Sequence, residues 1–228
     1  MKRAKRVQKY PDAISGAQLG NPKMNLTNKV QDAMRENTVN FLDLTKIFRS
    51  TLLNTRERDE IYVTSVNFRF QMRTLLNHPE TMPVYITWAI VQLKNRRTAT
   101  PLDVAELKTD MFRAAGTLRN ISFDAVLNGA QKRNAPLNTD KFNVLSRGEY
   151  QIAPLGLYSE GVPSFVNRAY QCMVNKKVVY DGGSNEDASN PIIFLYWCTR
   201  LNTNATAIGS TDELSHSVTC LTHFRDMV

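Results

Sequence analysis

The chain has 228 residues, 42% of them apolar, and a formal net charge of +8. That length fits one all-β domain or two small domains, and that apolar content excludes wholesale disorder. Residues 1–35 hold eight basic side chains against Asp12 and Asp32, so the rest of the chain is close to neutral, and a cationic arm on a balanced body points to a polyanion as the arm's partner.

Residues 1–22 are polar, basic and punctuated by Gly and Pro, as in an arm. Lys2, Arg3, Lys5 and Arg6 form a cluster of the kind that serves as a nuclear address or a phosphate-binding tail; the plain alternative is a solvated terminus. Thr27 to Arg35 reads as one or two helical turns, with Thr27 as the cap and Val30 and Met34 on one face. Between Asn37 and Leu53 the spacing of Phe41, Leu44, Ile47, Phe48 and Leu52 also favours a helix.

Ile61 to Arg73 is the cleanest strand. Tyr62, Val66, Phe68, Phe70 and Met72 share one face, and Val63, Ser65, Asn67, Arg69, Gln71 and Arg73 the other, so one face packs and the other meets solvent or a partner. Arg69 and Arg73 then project together, either as two solvated arginines or as a phosphate-facing patch. Val84 to Leu93 is apolar on both faces, which marks an interior strand. A short helix is expected over Leu102 to Arg113, with Thr100 as cap and Pro101 at its first position. Ile121–Leu127, Asp140–Ile152, Lys176–Tyr180, Ile192–Leu201 and Ser215–Asp226 read as further strands. Val218, Cys220, Thr222 and Phe224 alternate along the last of these. About eight strands, one short helix and long loops argue for a jelly-roll β-sandwich, and helices so few and short cannot serve as crossovers of a parallel sheet.

Cys172, Cys198 and Cys220 are an odd set without paired spacing, so no disulfide framework and no zinc site is expected, and the usage points to a reducing compartment. The N-terminal charges are followed by no apolar core, so a secretory signal is not expected, and the tripeptides at Asn25, Asn120 and Asn204 that match the glycosylation pattern are read as chance. The longest apolar run, Pro191 to Cys198, falls far short of the roughly 20 residues that span a bilayer.

Enzyme signatures are missing: there is no phosphate-cradling Walker loop, dinucleotide fingerprint, Gly-x-Ser-x-Gly elbow or His-Glu-x-x-His. His78, His216 and His223 are scattered and read as surface histidines, although His216 and His223 belong to one strand and can be imagined near each other. A Cys198–His pair and a cation site at Asp181, Glu186 and Asp187 are the sharper alternatives to a buried thiol and a solvated acidic loop. No catalytic residue, metal or cofactor is expected.

The blocks Val84–Val91, Arg96-Arg97-Thr98-Ala99-Thr100-Pro101-Leu102-Asp103-Val104, Pro136–Leu145, Asn175–Gly183 and Asn190–Tyr196 resemble, in content and order, the single-jelly-roll capsid proteins of small circular Rep-encoding single-stranded DNA viruses. Capsids of small satellite RNA viruses share much of the pattern. The similarity covers residues 37 to 226.

The resemblance implies an eight-stranded viral jelly roll of two four-stranded antiparallel sheets over residues 37–228, preceded by a basic arm over residues 1–36. It implies an icosahedral shell of identical copies that encloses a single-stranded genome, DNA rather than RNA, with assembly in the host nucleus and a final place in the virion. It makes Asn37–Thr45 the first strand, against the helical reading. The arm would contact nucleic acid through Lys2, Arg3, Lys5, Arg6, Lys9 and Tyr10, with Tyr10 stacking on a base, and no membrane partner is implied. The arm lacks a dense arginine tract, so Arg69, Arg73, Arg96 and Arg97 are expected to help from the sheet or its loops. The rivals are a non-capsid viral nucleic-acid-binding β protein and a cupin-like jelly roll, the latter needing clustered His and carboxylate ligands.

Overall fold

Two runs, Val84–Leu93 and Ile192–Arg200, carry large apolar side chains at nearly every position, and a strand can bury both its faces only in the middle of a sheet with cover on each side. They pair antiparallel with each other, Trp88 opposite Tyr196 and Ile90 opposite Phe194. The rest of the fold grows from this pair. A computed structural model describes residues 19–35, 38–74, 84–94, 101–114, 119–125, 129–152, 165–181, 187–200 and 212–227.

The strands in chain order are β1 (Leu19–Arg35), β2 (Asn40–Asp43), β3 (Glu60–Thr74), β4 (Val84–Leu93), β5 (Phe112–Arg113), β6 (Asn120–Ile121), β7 (Phe142–Ile152), β8 (Phe165–Val179), β9 (Ile192–Arg200) and β10 (Asp212–Met227). Helix α1 (Val104–Lys108) precedes β5, and α2 (Gly129–Asn134) precedes β7. One sheet has the order β1-β10-β3-β8 and the second β2-β9-β4-β7, while β5 and β6 form a separate ribbon. All the pairings are antiparallel. Successive long strands alternate between the sheets except β4 and β7, which pair with each other, and the last long strand lies beside the first, which is the doubled Greek key of a jelly roll. The expected fold is therefore the observed one.

The main core lies between the sheets. Val66, Phe68, Phe70 and Met72 of β3 and Val218, Cys220 and Phe224 of β10 meet Ile86, Trp88 and Ile90 of β4 and Phe194, Tyr196 and Cys198 of β9. Phe68 centres an aromatic group, 4.8 Å from the ring of Trp88 and 4.9 Å from that of Phe194; such pairs add about 0.5–1.5 kcal/mol each to the burial of their area. Cys172, Cys198 and Cys220 are free thiols, all buried.

Several expected elements differ. Leu19–Arg35 lies within the segment expected as an arm, yet it pairs with β10 from Leu19 to Arg35. The helix expected over Thr27–Arg35 is strand, because this pairing overrides a weak helical spacing. Strand β2 settles the ambiguity at 37–45 in favour of a strand, but it is the second strand and not the first. In β3 the register shifts between Val63 and Ser65, so Ile61 and Val63 face the core on one side of the bulge and Val66, Phe68, Phe70 and Met72 on the other; Tyr62 leaves the face expected for it.

Helix α1 starts at Val104, and its cap is Asp103, whose carboxylate accepts the Glu106 N–H at 2.7 Å, rather than Thr100, which falls outside the described residues. Phe112 and Arg113, expected at the helix end, are strand. The strand expected over Ile121–Leu127 is reduced to Asn120–Ile121 before a turn, with 126–128 outside the described residues. Lys176–Val179 is the end of the longer β8, and α2 was not anticipated.

Candidate nucleic-acid interface

The two sheets treat their outer faces in opposite ways. Outside the β2-β9-β4-β7 sheet lies a second apolar cluster, in which Leu107 of α1, Met111, Phe112, Phe123 and Leu137 cover Ala89, Val91, Ile193, Leu195 and Trp197. Phe112 and Phe123 meet the Trp197 ring edge-on at 5.8 and 6.1 Å. The Lys141 ammonium holds this cover in place by donating to the carbonyls of Glu106, Leu107 and Thr109 at the end of α1. All ten residues of β4 are buried as a result.

Nothing among the described residues covers the β1-β10-β3-β8 sheet in this way. Strand pairing places its outward side chains in ranks of four. Asn28, Thr219, Arg69 and Ala169 form the central rank. Val30, Ser217, Gln71 and Asn167 lie on one side of it, and Leu26, Leu221, Asn67 and Gln171 on the other. Next come Met24, His223, Ser65 and Met173, then Pro22, Arg225, Tyr62 and Lys177. None of these side chains is a carboxylate. Glu60, at the end of β3, is held by Lys177 at 2.7 Å.

The middle ranks form an open trough of about 680 Å³, lined among others by Asn67, Arg69, Gln71, Gln171, Ser217 and Thr219. Amides and hydroxyls both donate and accept, and Arg69 supplies an exposed cation in their midst. No ion pair joins Arg69 or Arg225 to another described residue. Asn67 Nδ2 lies 3.1 Å from His223 Nε2, and the Asn67 carboxamide oxygen has no hydrogen-bond partner among the described residues. A trough with arginine, free hydrogen-bonding groups and no carboxylate is suited to a polyanion, whose phosphates meet cations without repulsion.

Of the residues singled out in the sequence, Arg69 stands in this trough. The backbone of Arg73 lies further along β3, opposite Ser215 and Phe165. Lys2, Arg3, Lys5, Arg6, Lys9 and Tyr10, like Arg96 and Arg97, fall outside the described residues. Strand β1, which follows the basic segment, belongs to the bare sheet. The sequence placed Asn67 and Gln71 beside Arg69 on one strand, but the trough members from β1, β8 and β10 lie far apart in the chain and were missed.

His216 and His223 do not converge, and His78 lies outside the described residues. His216 is 2% exposed and faces the core, its Nε2 2.8 Å from the Tyr196 hydroxyl, whereas His223 faces outward on the same strand. His216 is thus a core histidine, not a surface one, and burial, reinforced by Lys29, lowers its pKa to about 4. Burial pushes the Cys220 thiol up to about 12, well away from a reactive thiolate. Burial, and then the charge of Asp187, raises the Asp43 carboxyl to about 6 even though it accepts from the Thr45 N–H and hydroxyl at 2.9 Å. Among the described residues no group of three or more His, Cys, Asp or Glu could hold a metal ion, and Glu186 lies outside them.

No protein-family model matches the chain, and no curated protein matches it. Among solved structures it is similar to Desmodium yellow mottle tymovirus, at 7% identity and a TM-score of 0.33, and to turnip yellow mosaic virus, at 11% and 0.35. The empty head of turnip yellow mosaic virus matches at 8% and 0.36; each alignment covers 100% of this chain and 92% of the other. At such values the fold assignment rests on the strand order itself.

Proposed function

We propose that the protein is the structural subunit of a viral capsid: a jelly roll that assembles with copies of itself into an icosahedral shell around a single-stranded genome and carries no catalytic activity. The observation that carries this reading is the contrast between the two outer sheet faces. One is sealed by the chain's own loops, and the other, among the described residues, is left open, its five described ranks free of carboxylates and studded with Arg69 and Arg225. In a shell the open face looks inward on the genome.

The basic segment ahead of β1, with Lys2, Arg3, Lys5, Arg6, Lys9 and Tyr10, reaches the same nucleic acid. Phosphate neutralisation by many copies needs no sequence readout, and an aromatic such as Tyr10 stacks on any base. Arg73, Arg96 and Arg97 add to the cationic lining, and the two sheets, β1 included, make the shell. The resemblance seen in the sequence favours a DNA genome, assembly in the host nucleus with the 2–6 cluster as the address, and delivery in the virion. Negative-stain imaging of the purified protein, followed by DNase and RNase typing of what it protects, tests the reading. Hollow or filled spheres with protected nucleic acid support it, and a free protein with no protected nucleic acid refutes it.

A further inference from the structure

Among the described residues, seven of the ten exposed large apolar side chains lie on β1 or on the loop after β2. The most open of all is on the loop, Leu53 at 89%; its neighbour Leu52 is 70% exposed, level with Val30 of β1 at 72%. This loop is not a slack tip. The buried Arg56 guanidinium donates from Nε to the Ile47 carbonyl at 3.1 Å and from Nη1 to the Arg58 carbonyl at 3.0 Å, and its carbon lies 3.9 Å from the Tyr180 ring centre. Thr55 donates its hydroxyl to the carbonyls of Ser50 and Leu52. Asn54 takes the left-handed conformation, at φ 63°, and its side-chain oxygen accepts the Met24 N–H at 3.3 Å. Leu52 and Leu53 are therefore held out as a knob whose ordering is complete before any contact forms.

Next to the knob along β1 is a groove of about 390 Å³. Asn25 to Thr27 form one wall; Phe41 and Leu42 of β2, with Leu102, make it apolar; Asp43, Asp187 and Lys46 are its charged lining. We propose that the Leu52–Leu53 knob seats in the groove between β1 and β2 of a second copy of this chain, and that the contact is reciprocal about a two-fold axis. A two-fold contact needs one patch that complements itself, and a knob beside a groove on the same edge is such a patch. Asp43 and Asp187 outnumber the one lysine of the groove, Lys46, and exposed Arg58 at the base of the loop is opposite in sign to that excess. A nucleic acid would meet leucines here, and two carboxylates against one lysine. Contacts between permanent partners are the more hydrophobic kind, as this one is.

The inference rests on the shell reading and names one of its contacts. Full-length Leu53→Cys and Leu102→Cys proteins, mixed and mildly oxidised, test it, because the three native thiols are buried. A disulfide-linked dimer in the mixture is expected, and a Leu52→Ser/Leu53→Ser variant with an unchanged melting curve should need at least tenfold more protein to assemble. Wild-type particles that form with no cross-link, and with the serine variant assembling normally, overturn the contact and leave the shell reading intact. Flotation of the wild type with phosphatidylcholine vesicles that is lost in the serine variant, with assembly unaffected, overturns it in favour of a lipid surface. A wild type that stays a single chain overturns both.

Discussion

Trp88 and Gly148 face each other across β4 and β7, and a Cβ on Gly148 would come within 2.3 Å of the indole Cζ2. The indole occupies the space where a side chain at 148 would stand, so the glycine is required by its neighbour. Trp88 cannot easily retreat, with the rings of Phe68 at 4.8 Å and Tyr170 at 5.7 Å. Gly148→Ala should destabilise by about 3 kcal/mol, the upper range for overpacking. Adding Trp88→Leu should recover part of that loss, which a double-mutant cycle on chemical denaturation would read.

Asp43 and His216 make opposite contributions to the pH dependence of stability. The Asp43 pKa rises on folding from 3.8 to about 6, so the folded state holds this proton more tightly, and the associated stability is lost as pH climbs through that interval. The His216 pKa falls from 6.5 to about 4, so its stability is complete above 6.5 and lost as pH drops toward 4. Between pH 4 and 6 the two slopes offset in part. His216→Phe should gain, relative to wild type, about 2 kcal/mol on acidification from pH 7 to 4.5, and Asp43→Asn should lose about 2 over the same range. Urea midpoints of the three proteins at both pH values measure this.

Arg69 has no ion-pair partner among the described residues and lies in the centre of the open trough. Arg69→Gln should weaken binding of a single-stranded oligonucleotide several-fold and reduce the slope of log affinity against log salt by about 0.7, the value for one lost contact to a single strand. Arg119→Gln, exposed next to the β5–β6 ribbon, should change neither. Anisotropy titrations from 50 to 200 mM salt, concentrations chosen for the size of the effect, distinguish the two.

Deleting residues 1–9 removes Lys2, Arg3, Lys5, Arg6 and Lys9 and leaves β1 untouched. Particles should still form, with less nucleic acid in each. The absorbance ratio at 260 and 280 nm of the purified particles measures the change, and an unaltered ratio would count against the arm's role.

What could be read from the chain depended on whether its signal was local. β4, β9 and β10 were legible because burial on two faces, or strict alternation in β10, writes itself into a single run of residues. β1 was not, because its apolar side chains, Met24, Leu26 and Val30, point outward while Lys23, Asn25, Thr27 and Lys29 are the more buried set. Lys23 sits inward because Asp226 and Glu57 each hold its ammonium at 2.7 Å, a partnership across 203 residues in the case of Asp226. The bulge in β3 hid in an otherwise regular alternation. Arg69 was visible as a residue, but the carboxylate-free trough around it exists only once Thr219 and Ala169 are brought alongside.

The central claim is that this chain exists to enclose, and sedimentation velocity of the purified full-length protein tests it most directly. A boundary of megadalton size, made of 25.9 kDa chains and carrying nuclease-protected nucleic acid, is the predicted result. A single boundary at the mass of one or two chains, unchanged by salt, pH or added single-stranded nucleic acid, would contradict it.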